Sequence, residues 1–421
     1  MDLRRWDGGR TIVVAAAATL LLGACGPARL AAPPEPEFRV GVRAEPTVMP
    51  PPTVLSGGER IRPEDIESDA PAGDDVAVDQ LFTVDDAGNA APNRSGWQAF
   101  DEQLGRRLVP ANVSAAVAVM VDGRIVHQAA YGERVAGTGE PVETTDRFRI
   151  ASISKTITAI VTMQLVDDGL LTLDEPVGPV VAEHLGLASY DPDVRSMTVR
   201  ELLSHTAGLP QHEGTFFSNG ATSCVDAATQ GLASGVRSGN GFDYSNMGYC
   251  VLGVLIEAVT GKTYERVVYE RLLTPLGISG MRMPSTYELG PDEVSHHPTP
   301  GRNFMETLGA AGSWNATPAD LVTIANSIDP TTPGWKALSE ESMRAMRFRV
   351  PTGLPPAGYG LGVINYPGDA WGHTGTIQNA HSMLLVQPDG VTWAITVSGN
   401  YPSESGNLRS ILRSALTAAF G

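Results

Sequence analysis

Two short turn signals near opposite ends of the chain constrain its fold more than any other feature. Asp122-Gly123 separates the apolar runs "VSAAVAVMV" and "RIVHQAAYG", and Pro388-Asp389-Gly390 separates "HSMLLVQ" from "VTWAITV". Asp-Gly between two apolar runs is a hairpin signal, because the pair accepts the positive φ angles that match strand twist. Helical spacing dominates between the hairpins and just outside them. "GWQAFDEQLGRRL" repeats its apolar residues at Trp97, Phe100, Leu104 and Leu108, and a closing helix is expected over about 403–420. The expected fold class is therefore α/β (α+β). An antiparallel sheet is built from both termini and flanked by helices, with a helical subdomain inserted over roughly 165–315.

The first 95 residues read differently. Arg4, Arg5 and Arg10 precede the apolar run "TIVVAAAATLLL", which is too short to span a bilayer but suits the core of an export signal. "LGAC" follows and resembles the lipobox of bacterial lipoproteins, which implies cleavage after residue 24 and lipidation of Cys25. Residues 25–95 are rich in proline and acidic side chains, a composition expected to form a disordered tether. The folded domain is then expected over 96–421, in a protein exported and lipid-anchored to the outer face of the cytoplasmic membrane. Apart from Cys25 the only cysteines are Cys224 and Cys250, an even pair that suggests a disulfide in an exported protein, two buried thiols being the alternative. A net charge of −17 with no basic stripe argues against nucleic acid and against electrostatic docking on anionic lipid.

Only three of the 30 basic residues are lysines, Lys155, Lys262 and Lys336. Arginine cannot release its proton in a protein, whereas a partly buried lysine can. Lys155 lies in "FRIASISKTITAIV", three residues after Ser152 at the start of an apolar helical run, so the two side chains share a face. A serine hydroxyl needs a base to become a nucleophile, and a desolvated amine beside it can be that base. Ser-x-x-Lys alone is a weak signal. Two further pieces follow in order: Tyr244-Ser245-Asn246 before the apolar helix "MGYCVLGVLIEAVTG", and His373-Thr374-Gly375 at or within a strand.

These three motifs, with "LLSHTAGLP", "AAGSWNATPADL" and "YGLGV" between them, resemble the class C β-lactamase and penicillin-binding serine hydrolase family, which includes D,D-carboxypeptidase- and esterase-like members. The resemblance spans about residues 97–420. It implies the serine β-lactamase/D,D-peptidase fold and makes Ser152 the acylated nucleophile, with Lys155 and Tyr244 sharing the proton transfers. A phenolate at Tyr244 would be favoured beside an ammonium at Lys155. The resemblance also implies an oxyanion hole from the backbone N–H groups of Ser152 and Thr376. Asn246, His373, Thr374 and Gly375 would bind substrate. His373 stands where true β-lactamases usually carry lysine, and a weaker positive charge there disfavours a lactam carboxylate. His205, in "LLSHTAGL", is read as structural because the family's base lies elsewhere. His296-His297 and His212-Glu213 lack a third ligand at useful spacing, so no metal site is expected, and no cofactor is implied.

The leading expectation is a cell-envelope serine hydrolase working through an acyl-serine intermediate. Its substrate would be a small molecule or peptide: a D-amino-acid peptide such as a peptidoglycan stem peptide, a small ester or amide, or, more slowly, a β-lactam. A true β-lactamase is one alternative. A catalytically silent recognition lipoprotein is the other, and the intact motifs count against it.

Overall fold

Asp122 and Gly123 both take positive φ, 45° and 75°, and turn strand β1 (Ser114–Val121) into β2 (Arg124–Tyr131). The computed structural model describes residues 76–84, 90–209, 213–235, 241–350 and 358–421. The expected signal peptide 1–24, the lipidation site Cys25 and the tether as far as residue 75 lie outside them. The C-terminal strands are β3 (Gly358–Tyr359), β4 (Ile364–Asn365), β5 (Trp371–Ile377), β6 (Ala380–Val386) and β7 (Val391–Ser398). Together the seven form one antiparallel sheet in the order β2-β1-β7-β6-β5-β4-β3. The two hairpins expected at opposite ends of the chain thus meet at the β1–β7 ladder.

Both faces of the sheet are covered, which is why β1 and β7 are buried along almost their whole length rather than on alternate residues. On one face lie helix α1 (Arg94–Leu108) and the closing helix, which starts at Asn407 rather than 403. Trp97, Phe100, Leu104 and Leu108 of α1 pack there with Val117, Val119 and Ile395. Asn93 caps α1 by accepting the Gly96 N–H at 3.1 Å, and Arg106 and Arg107 oppose the dipole in its last turn. The other face carries Ala118, Met120, Leu384 and Ala394 and meets the helical insertion. That insertion centres on α2 (Ser154–Asp167), flanked by α3 (Cys224–Ser234), α4 (Asn246–Thr260) and α5 (Pro318–Asn326), with the closing helix numbered α6 (Asn407–Phe420). No helix among the described residues is long and apolar enough to cross a membrane.

The expected tether boundary at residue 95 needs correction. Val78–Leu81 forms a helical turn and Phe82–Val84 pairs with Ala90–Pro92, upstream of the helix at Arg94. Leu81 is buried in the cluster that joins α1 and α6 to the sheet, and the Asn93 N–H bonds to its carbonyl at 2.8 Å. A segment's average composition does not register one apolar anchor with a core beside it.

Candidate active site

Ser152 sits in a single 3-10 turn, Ala151–Ile153, immediately before α2. Ala151 has φ +47°, a conformation non-glycine residues seldom adopt, and it sets the serine turn off from the helix that follows. The turn is pressed against the sheet. Ser382 Oγ donates to the Ile150 carbonyl at 2.7 Å, and a Cβ on Gly375 would lie 2.3 Å from that same oxygen. Gly375 is needed here for closeness of approach, not for backbone freedom. β5 therefore runs beside the serine turn, with Thr376 following Gly375 and its Oγ1 donating to Ser405 Oγ at 2.8 Å.

From Ser154 to Leu165 every residue of α2 is buried, including its polar ones. Thr156 donates to the Gly362 carbonyl at 2.8 Å and Thr158 to the Ala310 carbonyl at 2.7 Å, which removes the cost of burying the hydroxyls. Lys155 lies on this helix and is 0 % exposed. Its Nζ is 3.2 Å from Ser152 Oγ, 2.7 Å from Asn246 Oδ1 and 2.8 Å from the Ala311 carbonyl oxygen. Desolvation pushes its pKa well below the ordinary lysine value. A neutral amine has two N–H bonds and one lone pair. The two carbonyl-type acceptors take the two protons, which leaves the lone pair for the serine hydroxyl.

Tyr244 comes from a distant stretch of chain, just before the N-cap of α4. Ser245 is that cap, accepting the Gly248 N–H at 3.2 Å. The Tyr244 ring centroid lies 4.8 Å from Lys155 Nζ. Its buried Oη makes no formed hydrogen bond, although the nearby Ser152 hydroxyl slightly favours the phenolate. Burial dominates and pushes the phenol well above its usual pKa. Burial thus shifts both groups toward their neutral forms, against the expected ammonium–phenolate pair, because charge is disfavoured where side chains are desolvated.

Asn246, expected to meet the substrate amide, directs its carbonyl oxygen to Lys155, a contact not foreseen from the sequence. One further expectation changes. His373, expected along the substrate strand, is inaccessible, with Nδ1 2.5 Å from the Thr374 carbonyl and Nε2 2.9 Å from Tyr359 Oη. A carbonyl can only accept, so Nδ1 carries the proton and Nε2 accepts from the tyrosine. Burial lowers the His373 pKa to about 3, which leaves the ring neutral. Thr374 and Gly375 do lie on β5 beside the serine turn. Cys224 and Cys250 are disulfide-bonded and tie α3 to α4, the helix that begins at Asn246. Among the described residues no cluster of three or more histidine, cysteine or acidic side chains could hold a metal.

Sequence reasoning gave no role to the Ala311 carbonyl, to Tyr249 or to Tyr359. Tyr249 Oη donates to the Leu203 carbonyl at 2.9 Å, and its ring lies 5.6 Å from Lys155 Nζ. Ala311 and Tyr359 lie in the stretches "AAGSWNATPADL" and "YGLGV", whose match to a family pattern carried no indication that one supplies a backbone ligand and the other an aromatic wall.

Comparison with known proteins agrees with this geometry. Residues 104–417 match the family model described as Beta-lactamase. Penicillin-binding protein 4 of Amycolatopsis lactamdurans is 33% identical over 331 residues, covering 72% of this chain and 84% of the relative. Protein flp of Staphylococcus aureus (strain N315) is 23% identical over 303 residues, covering 69% of this chain and 60% of its own length. Among solved structures, SurE with D-Leu aligns at a TM-score of 0.63 and 28% identity, covering 78% of this chain and 76% of that one.

Proposed function

The chain belongs to the β-lactamase family of serine hydrolases, and from that premise we propose that it cleaves D-amino-acid peptides, amides or esters through an acyl-enzyme on Ser152. One observation carries the reading: the buried Lys155 Nζ lies 3.2 Å from Ser152 Oγ and is held there by the Asn246 Oδ1 and Ala311 carbonyl acceptors. In the first step Lys155 takes the hydroxyl proton as Oγ attacks the carbonyl carbon. The oxyanion is stabilised by the N–H groups of Ser152 and Thr376, each donor contributing about 3 kcal/mol. As the bond to the leaving group breaks, the protonated phenol of Tyr244 supplies a proton to it, and Lys155 restores the phenol. Water then hydrolyses the ester at Ser152 by the same transfers in reverse.

Two relatives support the substrate class, one named a penicillin-binding protein and one solved with D-Leu. A lactam carboxylate would find His373 neutral and out of reach, so β-lactams should acylate slowly or inhibit. A fluorophosphonate probe should label the wild type and not Ser152→Ala. Amides and esters of D-amino acids should turn over faster than their L-enantiomers, and a chromogenic cephalosporin only slowly. Absence of labelling would reject the hydrolase reading, and fast cephalosporin turnover would make the protein a β-lactamase.

We further propose export and lipid anchoring through Cys25. The Cys224–Cys250 bond supports an oxidising compartment. Labelled fatty acid should be incorporated into the wild type and not into Cys25→Ser; incorporation into both would reject the anchor.

A further inference from the structure

Tyr244 Oη makes no formed hydrogen bond, so something other than its hydroxyl must fix the direction of the phenol. Three contacts on residues 243–245 come from one side chain and its own backbone, those of His205. The His205 carbonyl accepts the Asp243 N–H at 2.9 Å. Its Nδ1 accepts the Ser245 N–H at 3.0 Å. Its ring lies 4.2 Å from the Tyr244 ring, tilted by 37°.

Holding both bonds at once demands an unusual backbone, and His205 has φ +60°. It also demands one tautomer. Because Nδ1 accepts, the neutral ring must carry its proton on Nε2, which is buried without a hydrogen-bond partner. An unsatisfied buried donor is costly, so a purely structural position would favour an apolar side chain. Neither leucine nor phenylalanine could accept the Ser245 N–H. Burial opposes protonation of the ring and preserves the acceptor.

We infer that His205 is the positioning residue for Tyr244, clamping the backbone on both sides of it and bearing on its ring so that the phenol meets the Ser152–Lys155 pair. This rests on the role proposed above for Tyr244. His205 touches no substrate and exchanges no proton with it.

Two variants separate the contacts. His205→Asn keeps a side-chain acceptor and tolerates the positive φ but loses the ring, whereas His205→Phe keeps a ring and loses the acceptor. Each is assayed on a D-amino-acid amide, with kcat normalised to active sites counted by probe titration, so that loss of folded protein does not enter. His205→Phe should lower kcat about 100-fold with KM changed less than about threefold, and His205→Asn should recover roughly a tenth of wild-type kcat. In a Tyr244→Phe background the same substitutions should add almost nothing, because no phenol remains to be placed. Unchanged kcat per titrated site, or an equal loss in the Tyr244→Phe background, would overturn the inference while leaving the proposed function standing. Full amide turnover by Tyr244→Phe alone would remove the role of Tyr244 and this inference with it.

Discussion

Desolvation rather than charge pairing shifts Lys155 and Tyr244 toward their neutral, functional forms. Arginine at 155 would fill a similar path but cannot give up its proton. Lys155→Arg should therefore slow acylation of Ser152 by about 10²–10⁴-fold, the usual range for losing a positioned base. The rate of probe labelling checks this, and a near-wild-type rate would mean the base is another group. Tyr244 has a different signature. Nitrophenolate departs without a proton, whereas an amine does not. Tyr244→Phe should thus cost roughly 10²-fold or more on a D-amino-acid amide and far less on the matching p-nitrophenyl ester. Equal losses on both substrates would assign the phenol to the attack step instead.

Two elements must stay in register with α2 for these residues to meet. The first is β5, whose approach to the serine turn depends on Gly375. In Gly375→Ala the added Cβ would meet the Ile150 carbonyl oxygen at 2.3 Å and Ser382 Oγ at 2.4 Å. Both are anchored, so the strand or the turn must shift. The expected outcome is a kcat loss of about 10²-fold, since small displacements of reacting groups are costly, with most of the thermal stability retained. Stopped-flow acylation beside a thermal melt reads both. The second is the pairing of α3 with α4, closed by the disulfide across a separation of 26 residues. Removing it by Cys224→Ala with Cys250→Ala should cost about 3.5 kcal/mol by the chain-entropy model, seen as a lowered urea midpoint. Wild type in reductant should lose a similar amount, and an unchanged midpoint in both would contradict it.

For the molecule as a whole, buried histidines set the response to acid. His373, His296 and His381 titrate at about 3, about 2 and about 4 in the folded protein, all lowered chiefly by burial. In the unfolded chain each returns to near 6.5. Below about pH 6.5 the unfolded state binds protons that the folded state refuses, so stability is greatest above that pH and falls as the pH drops toward the folded values. Each histidine contributes a slope of roughly 1.4 kcal/mol per pH unit in that window. Urea midpoints should fall from pH 7 to pH 5, and His296→Gln should flatten the fall by about one proton's worth. A flat profile would mean these rings are reached by water. Over the same scale, local pattern determined the hairpins at 122–123 and 388–390, the helices around them and the order of the three motifs, because each is written in neighbouring residues. The sequence by itself therefore specified which side chains could do acyl-transfer chemistry, and the antiparallel sheet built from both termini. Only the folded chain decided their environment and partners: that burial pushes Lys155 and Tyr244 toward neutrality, that Asn246 holds the amine, that His373 is sealed behind Tyr359, and that Leu81 extends the domain upstream. Those outcomes depend on desolvation and on contacts between residues far apart in the chain, and neither is a property of any local stretch.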